Sequence, residues 1–359
     1  MDDRAIARWR MHALGLTGQR QSSPAGVVGA LLGVQAENHA QASWAVATRT
    51  TSPSLADFAR QFDVGAFLRT HVLRPTWHYV LPDDIRWLLE LTGPRIRRSL
   101  AQRQRELGVT DTDLARSRGV IGDALAAGPL PRRDLAARMA GHGLPAAGRE
   151  LGLLLEDAEV GGLICSGPMS DTAHTIARLD HRAPQARRLD RDEAVAELVR
   201  RYFTGHGPAT ERDLSSWASM TLTDVRAGLA ANRGHLDTFT HDARTYWFGQ
   251  PPPEDHEGSP RAHLLQTLDE YHNGYQDSRH VLDAEGIVPR GRPASVGMVV
   301  VDTQVVGGMR RTVAVDRVVF HLRLFRPLRR DERAAVSEAA VRYGRFLDRE
   351  PLVTGLGDR

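Results

Sequence analysis

The side chains available for chemistry are narrowly drawn. All 47 basic residues are arginine, because the chain contains no lysine, and Cys165 is its one cysteine. This composition removes a lysine Schiff base, a P-loop lysine, an internal disulfide and a Cys-rich zinc site. His174, His181, His256, His263 and His272 are scattered without ligand spacing, so neither a metal nor a cofactor is expected. Arg95, Arg97, Arg98, Arg103 and Arg105 make a basic run on one expected helix. They can meet phosphates, but Glu90 and Glu106 flank them, and a solvated face is the plainer reading.

The composition sets a wider frame. The chain has 359 residues, a formal charge of +3, 41% hydrophobic and 25% charged residues. That describes an ordinary globular chain of two or three domains. The mild basic balance permits a nucleic-acid partner without requiring one. No apolar run is long enough for a membrane span, and Met1-Asp2-Asp3-Arg4 lacks a signal core. An intracellular, cytoplasmic protein that works as a monomer without membrane contact is the expectation.

The elements that must position any site show first in a repeat. GPLPRRDLA at 128–136 returns as GPATERDLS at 207–215, which suggests a duplicated small domain. In the second copy Thr210-x-x-Asp213 and Thr221-x-x-Asp224 are capping boxes, each opening a short helix. Leu236 to Phe248 alternates around a His-Asp-Ala-Arg turn and reads as a hairpin. Helix, turn, helix and hairpin make a winged helix-turn-helix. The first copy repeats the order, with helices through Leu135 and Met139 and over Arg149 to Glu156, and a candidate wing at Val160 to Met169. In the N-terminal third, Pro24 to Val34 and Leu55 to Phe62 read as helices, and Phe67 to Leu81 as a third wing. After the linker PPPEDHEGSP come short runs at Val296 to Asp302, Gln304 to Met309, Thr312 to Val315 and Arg317 to Phe325. They suggest a small antiparallel sheet or barrel, closed by a helix over Asp331 to Leu347. The expected fold class is therefore α+β, with winged helices followed by a small β-rich, barrel-like domain. The expected divisions are 1–108, 109–186, 187–250 and 251–359.

Six stretches in order carry a family resemblance: LLGVQAE (31–37), FLRTHVLRPTWHYVLPDDIRWLL (67–89), FTGHGPATERDLSSWAS (203–219), LLQTLDEYHNGYQDSR (264–279), VVVDTQVVGGMRR (299–311) and FRPLRRDERAAVSEAAVRYGRFL (325–347). With them the chain resembles the AlkZ/YcaQ-like winged-helix DNA glycosylases. The resemblance implies three tandem winged helices and a β-rich C-terminal domain arranged in a C shape around duplex DNA. It also implies monofunctional hydrolysis of the N-glycosidic bond of alkylated or bulky-adducted purines, in repair or in self-resistance to a DNA-alkylating natural product. The partner is then double-stranded DNA carrying such adducts. The family's catalytic motif, Gln, an aliphatic residue, then Gln or Asp, falls on Gln35-Ala36-Glu37. Gln35 matches. Glu37 departs from it, keeping a carboxylate but adding a methylene, and Ala36 is small.

These residue types suit the implied reaction. An N7-alkylated guanine is already cationic and leaves without a proton. The remaining task is to support an oxocarbenium ion and direct water to C1′. A carboxylate does both, as in inverting glycosidases, and a Gln amide can hold the water. Without lysine, no lyase step through an imine is expected. Residues i and i+2 diverge on a helix and converge only on an extended segment. Gln35 and Glu37 can therefore cooperate only if the helix begun at Pro24 stops or bends around Gly33. Otherwise they are surface polar residues of one continuous helix.

The resemblance further points Arg69, Thr70, Arg74 and Thr76 at phosphates flanking the lesion, His78 at the abasic sugar, and Arg279 at DNA. The plain alternative is a strand pair with Trp77 in the core. For the acids of Asp269-Glu270-Tyr271 and for Asp277, internal ion pairs are the favoured reading, with Asp277–Arg279 one candidate. Ser278 to Arg292 is a candidate inserting loop. The basic-poor second helices of both repeats suggest scaffolding. Two other functions stay open: a non-catalytic winged-helix DNA binder, for which the Glu37 departure speaks, and a protein-binding module.

Overall fold

The computed structural model describes residues 1–170, 173–254, 260–291 and 296–357. Parts of the linker at 251–260, and Arg292 at the end of the candidate loop, lie outside them.

The third winged helix follows its sequence closely. Helices Glu211–Trp217 and Leu222–Ala231 start at Thr210 and Thr221, whose side chains accept from the Asp213 and Asp224 N–H groups. These caps satisfy amide donors that a helix start would otherwise orphan. Strands Asp237–His241 and Arg244–Phe248 pair around Asp242 and Ala243, both at positive φ as a tight hairpin turn requires. In the second unit, helix Gly148–Val160 runs four residues past its expected end, to Val160. The wing accordingly begins later, as Ile164–Ser170 paired with Ala173–Arg178, with Leu130–Pro131 as third strand. Gly161 and Gly162, which fall inside the expected wing and would make it irregular, terminate the helix instead.

In the N-terminal third, strands Leu68–His71 and Trp77–Val80 form the expected arms, and Val34–Gln35 adds to Trp77–Val80 as a third strand. The helix from Pro24 ends at Leu31, short of the expected Val34. Leu32 takes φ 62°, and a Cβ at Gly33 would lie 2.8 Å from a Leu73 methyl. The chain can make this exit only by bringing bare backbone against Leu73.

The C-terminal region is a five-stranded sheet carrying helix Arg330–Leu347. Thr312 belongs to one long strand, Gln304–Val313, rather than to a separate run. Two strands escaped the sequence reading: Ala262–Leu265, on one edge, and Glu350–Thr354, which pairs in parallel on the other. Trp44 ties this sheet to the N-terminal third, donating to the Leu264 carbonyl at 2.9 Å and stacking on Tyr343. The main core joins the N-terminal third to the third winged helix, whereas the second winged helix has an apolar core of its own. Among the described residues no helix is long and apolar enough to cross a membrane.

Candidate active site

Because the helix stops at Leu31, Val34–Gln35 runs as a short strand, and after Ala36 the chain bends at Glu37. Four contacts pin it. The Ala36 N–H donates to the Trp77 carbonyl at 2.7 Å, and the Gln35 N–H to Glu270 Oε1 at 2.9 Å. Arg69 donates to the Ala36 carbonyl at 2.8 Å and to the Glu37 carbonyl at 3.2 Å.

The two side chains then part. Among the described residues they line two adjoining cavities, where a carboxylate and an amide meeting at one point was expected. Gln35 lines a cavity of about 430 Å³ with Arg74, Thr76, Asn273 and Arg279. Glu37 lines another of about 450 Å³ with Arg69, His71, Trp77, Arg103 and Arg149. Pro75 lines the Glu37 cavity and Thr76 the Gln35 cavity, so the two adjoin across the Arg74–Trp77 turn.

On the Gln35 side the polar groups are largely committed. Gln35 Oε1 accepts from Asn273 at 2.6 Å and from Arg74 at 3.3 Å, so its amide orientation is fixed and only its NH₂ is left to donate. Glu270 lies fully buried beneath, accepting from Gln35, from Trp217 Nε1 at 2.8 Å and from His206 at 3.4 Å. Burial opposes its charge, but His206 and then Arg74 and His78 outweigh it and hold the carboxyl at about 2. His78 is fully buried against Arg74 and Thr76, and burial followed by Arg74 pushes it down to about 3. It is a neutral packing group, and it is not exposed to touch a sugar.

The Glu37 side is open. The Glu37 carboxylate is exposed, and one oxygen accepts from the Trp77 N–H at 3.4 Å. Behind it the Trp77 indole donates to Glu159 at 3.1 Å, packs tilted against the His71 ring, and lies under Arg69 at 4.3 Å. His71 hydrogen-bonds Glu159 through Nδ1, with Glu156 at 4.0 Å from Nε2. Burial works against the imidazolium, yet Glu159 and Glu156 raise it above its ordinary value. Arg103 pairs with Glu156 in turn.

The other expected contacts divide. Thr70 is fully buried with its hydroxyl unpartnered, so it cannot meet a phosphate: it sits on the strand face turned inward. Arg69 and Arg74 spend their guanidinium groups chiefly on the Gln35–Glu37 segment and its neighbours. Arg279 donates to the His272 and Tyr275 carbonyls and to Gln276. Thr76 faces the Gln35 cavity with its hydroxyl unpartnered. The acids are internal, as expected, but with other partners. Asp269 makes a buried two-pronged pair with Arg49, and Asp277 accepts from Thr210 with Arg244 at 3.7 Å. The segment from Ser278 is not a free loop at its start, since Val281 and Leu282 are buried and Arg10 donates to Ser278. Helix Gly148–Val160 is buried on nearly all sides, as a scaffold should be. Sequence reasoning named Glu270 as an internal acid but not its place beneath Gln35, and it missed Asn273, His206, His71 and Glu159. The signal within reach was His71, two residues from Arg69 on one strand face.

A family profile described as DNA glycosylase AlkZ-like matches residues 28–346. An interstrand DNA cross-link repair glycosylase from Streptomyces sahachiroi is 26% identical over 230 residues, which are 61% of this chain and 61% of that relative. The solved structure of the Streptomyces sahachiroi DNA glycosylase AlkZ superposes with a TM-score of 0.78 at 21% identity, over 99% of each chain.

Proposed function

The chain belongs to the AlkZ-like DNA glycosylase family, and from that premise we propose that it is a monofunctional DNA glycosylase that hydrolyses the N-glycosidic bond of N7-alkylated or bulky-adducted purines in duplex DNA. It does so as a monomer on cytoplasmic, nucleoid-associated DNA, in repair or in self-resistance. The observation that carries the reading is Glu37: an exposed carboxylate at an arginine-lined cavity, in a bend after strand Val34–Gln35 that Arg69 and Trp77 hold. A carboxylate so held stabilises positive charge developing on the deoxyribose and takes a proton from the attacking water. A cationic base needs no acid to leave. Gln35 acts from the adjoining cavity, where its NH₂ can donate to the water's oxygen or to a DNA oxygen. With no lysine in the chain, the reaction ends at the abasic site.

The test is base release from duplex DNA containing 7-methylguanine, a larger N7 adduct, or a neutral lesion such as uracil. Release of the cationic bases with little release of uracil is expected. Release of uracil at an equal rate would refute the charged-leaving-group reading. A second reading, a DNA binder without catalysis, is favoured by one observation: the Gln35 oxygen is already saturated, and Gln35 and Glu37 open on separate cavities. Tight binding to adducted duplex with no base released would decide for it.

A further inference from the structure

A third cavity, of about 250 Å³, has no place in the reaction above. It forms where the loop after helix Asp3–Ala13 meets the edge strand Ala262–Leu265 and helix Arg330–Leu347. Arg20, Arg261 and Arg342 line it, with Glu338 the one acid in the lining. Arg342 donates to the Ala262 carbonyl at 2.7 Å. Among the described residues none of the three arginines has an ion pair. At the wall sits His263, buried, with Nε2 lacking any hydrogen-bond partner.

This arrangement is costly as it stands. Three like charges share a small space, and a buried ring nitrogen is left unsatisfied. Burial, and then Arg342 and Arg20, push His263 down to about 3, so it stays a neutral imidazole beside the arginines. Arg20 is itself pulled below its ordinary value by burial and then by Arg261. An anion would offset the crowding of like charge. Guanidinium forks match phosphate oxygens, and the volume is below the roughly 300–1,000 Å³ of ordinary ligand pockets, which suits a phosphate group rather than a base.

We propose that this cavity is a phosphate-binding site, in which Arg20, Arg261 and Arg342 hold one phosphate group. The phosphate is either free or part of a DNA backbone passing this face, and the site does not depend on the glycosylase reading.

Two arms test it on the full chain. In the first, the melting temperature is measured in chloride buffer with and without inorganic phosphate at matched ionic strength. Phosphate raises Tm by about 2–4 °C in the parent. Arg20→Gln, which leaves the Arg342–Ala262 bond intact, raises Tm in chloride by relieving repulsion and abolishes the phosphate shift. In the second arm, affinity for undamaged duplex is measured against salt for the parent, for Arg20→Gln/Arg342→Gln, and for the charge-matched control Arg133→Gln/Arg330→Gln. If the phosphate is DNA-borne, the site variant alone lowers the salt slope, by about 1 for the one phosphate held. If it is free, the slope matches the control while the phosphate shift in Tm remains. No phosphate shift in the parent together with an unaltered slope would overturn the site, as would an equal phosphate shift in Arg20→Gln.

Discussion

Two cavities adjoin across the Arg74–Trp77 turn, and they differ in how much of their polarity is already used. On the Gln35 side, Asn273 and Arg74 saturate the amide oxygen, and Glu270 is locked beneath by Gln35, Trp217 and His206. On the Glu37 side, a carboxylate stands exposed with a single long contact from Trp77. A group whose bonds are spent holds geometry, whereas a group with free valence can meet charge as it develops. The motif is therefore read as one fixing residue and one reacting residue rather than two equal partners.

The largest effect that could break this contrast lies at Glu270. Glu270→Ala should destabilise the fold by about 3–5 kcal/mol, since it removes the acceptor for three buried donors. Chemical denaturation checks it, and a cost below about 1 kcal/mol would mean the Gln35 side is not locked. Gln35→Ala comes next, at about 1–3 kcal/mol of stability, because Asn273 and Arg74 lose their acceptor. A Gln35→Ala protein as stable as the parent would place Gln35 with Glu37 as a free group.

The two sides should also answer pH with opposite signs. Glu270 is held down, so its contribution is present above about 4.5 and lost as pH falls toward about 2. His71 is raised, so its pair with Glu159 contributes fully below about 6.5 and fades as pH climbs through the higher folded value. Histidine NMR titration should find His71 retaining its proton above pH 6.5, while His78 stays neutral down to about 3. His71 titrating below 6.5 would contradict the Glu159 pairing. The smallest effect is at Thr70. Thr70→Val removes a buried, unpartnered hydroxyl and should be neutral or stabilise by up to about 1 kcal/mol, with DNA affinity unchanged. Weaker DNA binding in that variant would restore Thr70 to the interface.

What the sequence could tell follows the range of the contacts involved. The third winged helix was legible because its caps and hairpin turn are local: Thr210 to Asp213, Thr221 to Asp224, Asp242 to Ala243. The helix stop near Gly33 was legible as a condition that the chemistry imposes, and the backbone meets it at Leu32. The site's supports were hidden because they are distant in sequence. Glu270 reaches Gln35 across 235 residues, and Glu159 reaches His71 across 88. No local periodicity encodes such pairs. The same holds for strand Glu350–Thr354, which exists as a strand only because Arg317–Leu324 offers it an edge. Thr70 and His78 misled for a related reason: alternation along a strand tells which residues share a face, but not which face the core will cover.

The central claim is that Glu37 is the group that reacts. Single-turnover release of 7-methylguanine from duplex DNA, compared between the parent and Glu37→Gln at saturating protein, tests it most directly. A fall of about 10³-fold in rate is expected, with DNA affinity and melting temperature held, since the side chain is exposed and an amide oxygen can keep its one long contact with the Trp77 N–H. A Glu37→Gln protein that releases base at the parental rate would contradict it.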